Sequence, residues 1–355
     1  MASETYTLAQ SAVEEEAERL FKHLISVDCS SEKKWTLDAC LLIAPQTLAI
    51  NRLKEEKNAI ILAHSYVEPE IIYGVSDFVG DSYKLSVDAS RAEAEIIIFS
   101  GVVFMAESAK ILSPQSKVFV PDRGSGCSLA DSLNGDQLRS LKAQHPDAAT
   151  VCYVNCNADV KAESDVCVTS TNVYDIISLL KEEEVLFVPD RLMAENIRTE
   201  LRRREIEKRI LTSDGTCIVH DRFSVDLIDK ARAQYPGLAV VSHPECTTEI
   251  TAKSDFVGST GAMIEYVKTT EAPYYMMLTE CGLVSRLEIE NPEKRFIASC
   301  KLCPYMKLNS LEKIHEVLTN PQPEQEIRLE ESLRRRAEHS LRRMIEMTEK
   351  IRTKN

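Results

Sequence analysis

Three short apolar runs, AIILAHSY at 59–66, ATVCYVN at 149–155 and LAVVSHPE at 238–245, recur at nearly regular intervals in a chain that is otherwise mixed in polarity. Each has the length and β-branched content of a strand buried on both faces. A polar turn and then a helical pattern follow each one. The later runs AEIIIFSG, KVFVPD, EVLFVPD and KRILTS predict more strands, separated by helix-length stretches such as DLIDKARAQYP. Continuous apolar runs alternating with helices predict parallel sheets, because the crossover helices cover both faces of the sheet.

The pattern also repeats as words. SDFVGDS at 76–82 returns as SDVCVTST from Ser164 and as SDFVGST at 254–260, and the aligned ends Ser82, Ser170 and Thr260 stand 88 and 90 residues apart. FMAES with Glu107 returns as LMAEN with Glu195 and, more loosely, as MLTEC with Glu280. A solenoid unit spans about 20 to 50 residues, so a longer period marks a small domain. The expected fold is therefore α/β, with three homologous three-layer αβα domains whose parallel sheets surround a pseudo-threefold axis. The expected boundaries are 57–147, 148–236 and 237–320, with a helical segment at 1–56 and a charged helix at 321–355. That last helix, IRLEESLRRRAEHSLRRMIEMTEKIR, reads as amphipathic, either solvated or at the interface of a homodimer.

Composition narrows the partners. The formal charge of −13 and pI near 5.2 argue against nucleic acid, whose phosphates select clustered Lys and Arg. No apolar run approaches the roughly 20 residues of a membrane span. The Glu-rich start, MASETYTLAQSAVEEEAERLFKHLI, lacks the pattern of a secretory signal or a transit peptide. A cytoplasmic location is expected, with a plastid as the alternative if the chain is part of a plant-like precursor. The 11 cysteines are odd in number and do not read as a disulfide framework. Cys29, Cys40, Cys152, Cys156, Cys167 and Cys246 read as small buried hydrophobes.

Three cysteines keep the period: Cys127 in GSGCSLADS, Cys217 in DGTCIVHDR and Cys303 in CKLCPYMK, at steps of 90 and 86 residues. The first two follow a strand and a glycine-containing turn, where open α/β sheets place their ligands. About a pseudo-threefold axis the three would converge. Three thiolates without histidine suit an iron-sulfur cluster better than structural zinc, and would leave one iron free as a Lewis acid. Three unrelated core cysteines are the alternative. Ser82, Ser170 and Thr260 each precede a helical pattern, and read either as simple caps or as part of an anion cradle of helix N-termini. His64 and Tyr66, Tyr153 and Asn155, and His243 and Glu245 follow the first strand of each copy, where parallel sheets project catalytic groups. His220, three residues after Cys217, can reach the same space.

From AHSYVEPEI, GDSYKLS, FMAESAKILSP, GCSLADS, YVNCNADVKAESD, GTCIVHDRF, HPECTTEI, FVGSTGAMI, TECG, NPEKRF and CPYMK, in this order over about residues 55–315, the chain resembles the quinolinate synthase (NadA) family. The resemblance implies condensation of iminoaspartate with dihydroxyacetone phosphate to quinolinate, phosphate and water in de novo NAD biosynthesis. It also implies a 4Fe-4S cluster on Cys127, Cys217 and Cys303. Tyr66 and Glu245 would move protons, with His64, His220 and His243 fixing oxygens. Ser82, Tyr153, Asn155, Ser170 and Thr260 would join His64, His243 and Glu245 in binding substrate. Iron-sulfur assembly machinery and an L-aspartate oxidase or aspartate dehydrogenase are the implied functional partners. Some members carry Cys-x-x-Cys-x-x-Cys before the proline, whereas position 297 here is Ile, leaving Cys300 as an inert neighbour of Cys303 or half of a regulatory disulfide. An iron-sulfur hydro-lyase acting on a small hydroxy acid is the alternative enzyme, and an iron-sulfur sensor the alternative without catalysis.

Overall fold

The structure is a computed structural model and describes residues 9–24 and 35–353, so Cys29 lies outside the described residues. Three four-stranded sheets carry the fold. The first contains β1 (Ala59–His64), β2 (Phe78–Gly80), β3 (Ile96–Ser100) and β4 (Lys117–Phe119). The second contains β5 (Ala149–Tyr153), β6 (Val166–Val168), β7 (Glu184–Val188) and β8 (Arg209–Thr212). The third contains β9 (Leu238–Ser242), β10 (Phe256–Val257), β11 (Tyr274–Leu278) and β12 (Phe296–Ile297). The strand orders β2-β1-β3-β4, β6-β5-β7-β8 and β10-β9-β11-β12 are one topology written three times, and every pairing is parallel. In such an order the chain leaves two adjacent central strands toward opposite faces, which opens a crevice at their carboxyl ends.

The repeated Ser-Asp phrase has a structural cause. Asp77, Asp165 and Asp255 lie just ahead of the edge strands β2, β6 and β10. Their carboxylates accept from the backbone N–H groups of Ile61, Thr150 and Val240 at 2.7, 2.7 and 2.8 Å. Their own N–H groups donate to the carbonyls of the same three residues. Each aspartate thus completes the ladder of a central strand where the edge strand has not yet begun, and leaves no buried amide unpaired.

The terminal segments pack onto these units. Helices Gln10–Leu24 and Leu37–Glu56 share a core of Ala17, Leu20, Leu24, Cys40 and Ala44 with Ile289 of the third repeat. The carboxyl-terminal helix Glu331–Arg352 buries Ala337, Leu341, Met344 and Thr348 along one face. Arg334 on it donates to the carbonyl of Ile111 at 3.0 Å and Ser340 to that of Lys161 at 2.9 Å. The apolar face of this helix therefore packs on the first two repeats of its own chain. Its spacing of apolar residues gave an amphipathic face but not the surface that meets it. Cys40, Cys152, Cys156, Cys167 and Cys246 are fully buried; Cys40 lies in an apolar cluster, whereas Cys152, Cys156 and Cys167 group together beside the buried Lys161.

Candidate active site

Each periodic cysteine sits in the same local device. After β4, β8 and β12 the chain makes a turn in which the carbonyls of Cys127, Cys217 and Cys303 accept from the N–H groups of Asp131, Asp221 and Lys307 at 2.9, 3.0 and 3.3 Å. Short 3-10 turns follow at Ala130–Ser132, His220–Arg222 and Met306–Leu308. The turn aims two backbone N–H groups at each sulfur: Leu129 and Ala130 at Cys127, Val219 and His220 at Cys217, Tyr305 and Met306 at Cys303. Burial nevertheless pushes the thiols up, Cys127 to about 12, and Cys217 and Cys303 in the same direction. Such sulfurs become thiolates when a cation takes the place of the proton.

Facing them is a buried polar network drawn from all three repeats. Glu245, 3 % exposed, accepts from the Tyr153 hydroxyl at 2.6 Å and from Asn155 at 3.5 Å, and its other oxygen lies 2.9 Å from Nδ1 of His220. Beside a carboxylate that nitrogen carries a proton, and Nε2 lies 3.2 Å from the Thr279 hydroxyl. Thr279 and Thr260 each lie 3.0 Å from the Tyr66 hydroxyl. His243 stacks on His220 with ring centroids 4.8 Å apart, and His64 meets the edge of Tyr66 at 4.4 Å. Burial works against ionisation of Glu245. It is outweighed by His220 and His243 and by the hydrogen bonds from His220 and Tyr153, which hold the carboxyl below the usual carboxylate range. Burial, then the neighbouring histidine, lowers His64 and His243 to about 3. Burial raises Tyr66, and burial followed by the charge of Glu245 raises Tyr153, so both hydroxyls keep their protons.

The hydroxyl triple differs from expectation. The caps are Asp81, whose side chain accepts from Lys84 N–H at 2.9 Å, and Ser259, whose hydroxyl accepts from Ala262 N–H at 3.3 Å. Ser82 and Thr260 are instead the first helical residues, one position later, and their hydroxyls are free of the capping task. Ser170 precedes a seven-residue helix, Val173–Leu179, by three positions and caps nothing. The loose match of Glu280 to Glu107 and Glu195 also shifts. Glu107 and Glu195 lie inside helices Val103–Leu112 and Arg191–Arg203, whereas Glu280 caps helix Cys281–Glu290 as Asp190 caps the second.

One cavity is lined by His64, Tyr66, Ser82, Cys127, Tyr153, Asn155, Ser170, Cys217, His220, His243, Glu245, Thr260 and Cys303 together. Among the described residues, Cys217, His220 and Glu245 also place ligand-type atoms within 4.8 Å of one another. There, however, Nδ1 of His220 is already committed to Glu245. Residues 48–346 match the family model described as Quinolinate synthetase A protein. The chain belongs to this family. It is similar to the quinolinate synthase of Caulobacter vibrioides, with 41 % identity over 308 residues covering 86 % of this chain and 82 % of that one. It is 42 % identical to the Sinorhizobium medicae quinolinate synthase over 304 residues (86 % and 83 %) and 43 % identical to that of Alkaliphilus metalliredigens over 300 (84 % and 97 %).

Within the quinolinate synthetase A framework, the donor set fits an iron-sulfur cluster. Three soft donors from three equivalent turns line one cavity, each already facing backbone N–H groups of the kind that stabilise cluster thiolates. Cys300 is neither an inert neighbour nor paired with Cys303. It is disulfide-bonded to Cys281, with the Cα atoms 4.9 Å apart, and Cys303 remains free. Thr279 was missed by sequence reasoning although it ties Tyr66 to His220. Its place at the end of β11, within TECG, was the available signal.

Proposed function

We propose that the chain is a quinolinate synthase that condenses iminoaspartate with dihydroxyacetone phosphate, giving quinolinate, phosphate and two waters, with a 4Fe-4S cluster on Cys127, Cys217 and Cys303. The observation that carries this reading is the meeting of the three equivalent cysteine turns with the buried His, Tyr and Glu network in one cavity. The overall reaction is redox-neutral, so the chemistry needed is condensation, phosphate loss, dehydration and proton transfer. When bound, the cluster supplies one iron without a protein ligand, which acts as a Lewis acid toward a substrate oxygen or nitrogen.

The chain's own groups supply the proton path. Glu245 Oε2, His220 Nδ1, His220 Nε2, Thr279 Oγ1 and the Tyr66 hydroxyl form a continuous series with contacts of 2.9, 3.2 and 3.0 Å. Glu245, ionised at the outset, takes the proton that the substrate gives up; Tyr66, protonated at neutral pH, donates to a departing hydroxyl and is reprotonated from Glu245 through His220 and Thr279. Tyr153 and Asn155 hold the Glu245 carboxylate in place. His64 and His243 stay neutral and offer hydrogen bonds to substrate oxygens without adding charge. Ser82 and Thr260, the first residues of their helices, line the cavity, and the positive end of a helix favours carboxylate and phosphate groups.

The test is anaerobic purification followed by iron and sulfide assays, a visible spectrum, and a quinolinate assay with dihydroxyacetone phosphate and freshly generated iminoaspartate. A brown protein that forms quinolinate and loses absorbance and activity together in air is expected. A colourless protein, or full activity after the absorbance has gone, overturns the reading.

A further inference from the structure

The third cysteine turn is fastened in a way the other two are not. Glu280 is fully buried, and its Oε2 accepts from the Gly282 N–H at 2.5 Å, capping helix Cys281–Glu290. Its Oε1 accepts from the Cys303 N–H at 3.1 Å and lies 3.5 Å from Lys307 Nζ. Lys307 in turn donates to the backbone carbonyl of Tyr66 at 3.0 Å and pairs with Glu68 at 3.3 Å. Gly282 closes the contact from the other side, since a Cβ there would lie 2.2 Å from the same Tyr66 carbonyl oxygen. One carboxylate and one ammonium therefore tie the backbone of Cys303, in the third repeat, to the backbone of Tyr66, in the first.

The corresponding places show why this fastening is particular. In the second repeat the cap is Asp190, one methylene shorter. Its Oδ1 accepts from the Met193 N–H at 3.0 Å, and its Oδ2 is buried without a partner. Its backbone pairs with Gly215, but among the described residues its side chain makes no hydrogen bond to a cysteine turn. In the first repeat the cap is Val102, whose apolar side chain makes no capping hydrogen bond. Only the glutamate is long enough to span the cap and the ligand turn together.

We infer that Glu280 and Lys307 act as a positioning pair that sets the distance between the third cluster ligand and the Tyr66 hydroxyl. The inference rests on Cys303 as a ligand and Tyr66 as a proton-transfer group. Glu280 lines the cavity with both oxygens taken by the Gly282 and Cys303 N–H groups, and Lys307 is not among the lining residues, so neither is assigned contact with substrate. A group that orients a metal ligand in this way changes affinity or activity by about 10- to 100-fold when removed.

Glu280→Gln keeps the shape but can accept at one oxygen only, so either the helix cap or the Cys303 N–H is lost. Lys307→Met removes the ammonium from a partly exposed site that the fold tolerates more easily. Hydrogen exchange of the 299–306 backbone and the rate of visible bleaching in air are measured on anaerobically purified wild type and both single variants and the double variant, together with kcat and KM. Faster exchange at 299–306 in each variant is expected, with the turns around Cys127 and Cys217 unchanged. Bleaching is expected to be about tenfold faster and kcat about tenfold lower, with KM within about threefold, and the double variant no worse than the worse single one. Wild-type exchange at 299–306 overturns the inference, as does wild-type kcat and bleaching in both single variants, or multiplicative losses in the double. If wild-type protein itself carries no iron, the proposed function fails instead, and the exchange measurement still decides whether the pair holds the turn.

Discussion

Replacing His64 by Gln should make the fold less sensitive to acid. His64 and His243 are 5 % and 3 % exposed, and both have pKa values lowered to about 3. For His64 the causes are burial first, then His243 and Arg286. Between about pH 3 and 6.5 each imidazole is neutral in the folded protein, while the unfolded chain takes up a proton on each below about 6.5. The unfolded state then binds more protons, so stability falls as the pH is lowered through that window. At pH 5 each such histidine costs about 2 kcal/mol relative to pH 7.5, or about 4 kcal/mol for the pair, against a total stability of about 5–15 kcal/mol. Glu107, Glu280 and Asp190 are buried carboxyls with raised pKa values and act with the opposite sign. The quantity to measure is therefore the difference between variants. Urea unfolding of cluster-free wild type and His64→Gln, followed by circular dichroism at pH 7.5 and 5.0, should show the variant losing about 2 kcal/mol less than wild type. Equal losses in the two proteins would show that His64 takes up its proton in the folded state, and the account of a dry, neutral histidine would fall.

Tyr66→Phe keeps the ring and removes the hydroxyl shared with Thr260 and Thr279. Turnover should fall about 10²- to 10⁴-fold with iron content unchanged, and near-normal kcat would reduce Tyr66 to packing. Cys303→Ala should abolish both cluster and activity, whereas Cys300→Ala should retain about four irons per chain. Iron assays decide, and the ligand assignment fails if the Cys300 variant is the colourless one. Alkylation of unfolded, unreduced protein should leave Cys281 and Cys300 as one linked pair in peptide mapping, and two alkylated peptides would contradict the disulfide. Gly282→Ala should destabilise the fold by about 1–3 kcal/mol and lower kcat, because its methyl group would displace the Tyr66 carbonyl; an unchanged thermal midpoint would show that this approach relaxes freely.

The sequence by itself determined what is local and what is repeated. Seven strands of the described residues, β1, β3, β4, β5, β7, β8 and β9, follow from short apolar runs and the parallel order from their alternation with helices, and both are properties of neighbours along the chain; β2, β6, β10, β11 and β12 were not singled out in the sequence. The three cysteines were legible because one turn, with its N–H groups aimed at sulfur, was kept in all three copies and left its period in the chain. The Ser-Asp phrase was legible as a repeat, although its purpose appeared only when Asp77, Asp165 and Asp255 were seen to complete their strands. Tertiary structure decided everything that joins one repeat to another. Tyr66 meets Thr260 and Thr279 across separations of 194 and 213 residues, Lys307 meets Tyr66 across 241, and Tyr153 meets Glu245 across 92. Such contacts leave no periodicity, because each side of the interface contributes a different residue type. The disulfide partner of Cys300 belongs to the same class: Cys281 lies 19 residues away, and only the parallel approach of Glu280 to Lys301 brings the two sulfurs together. A one-residue shift of a cap, as at Asp81 and Ser259, was likewise fixed by which side chain could reach the helix N–H groups while its neighbour faced the cavity.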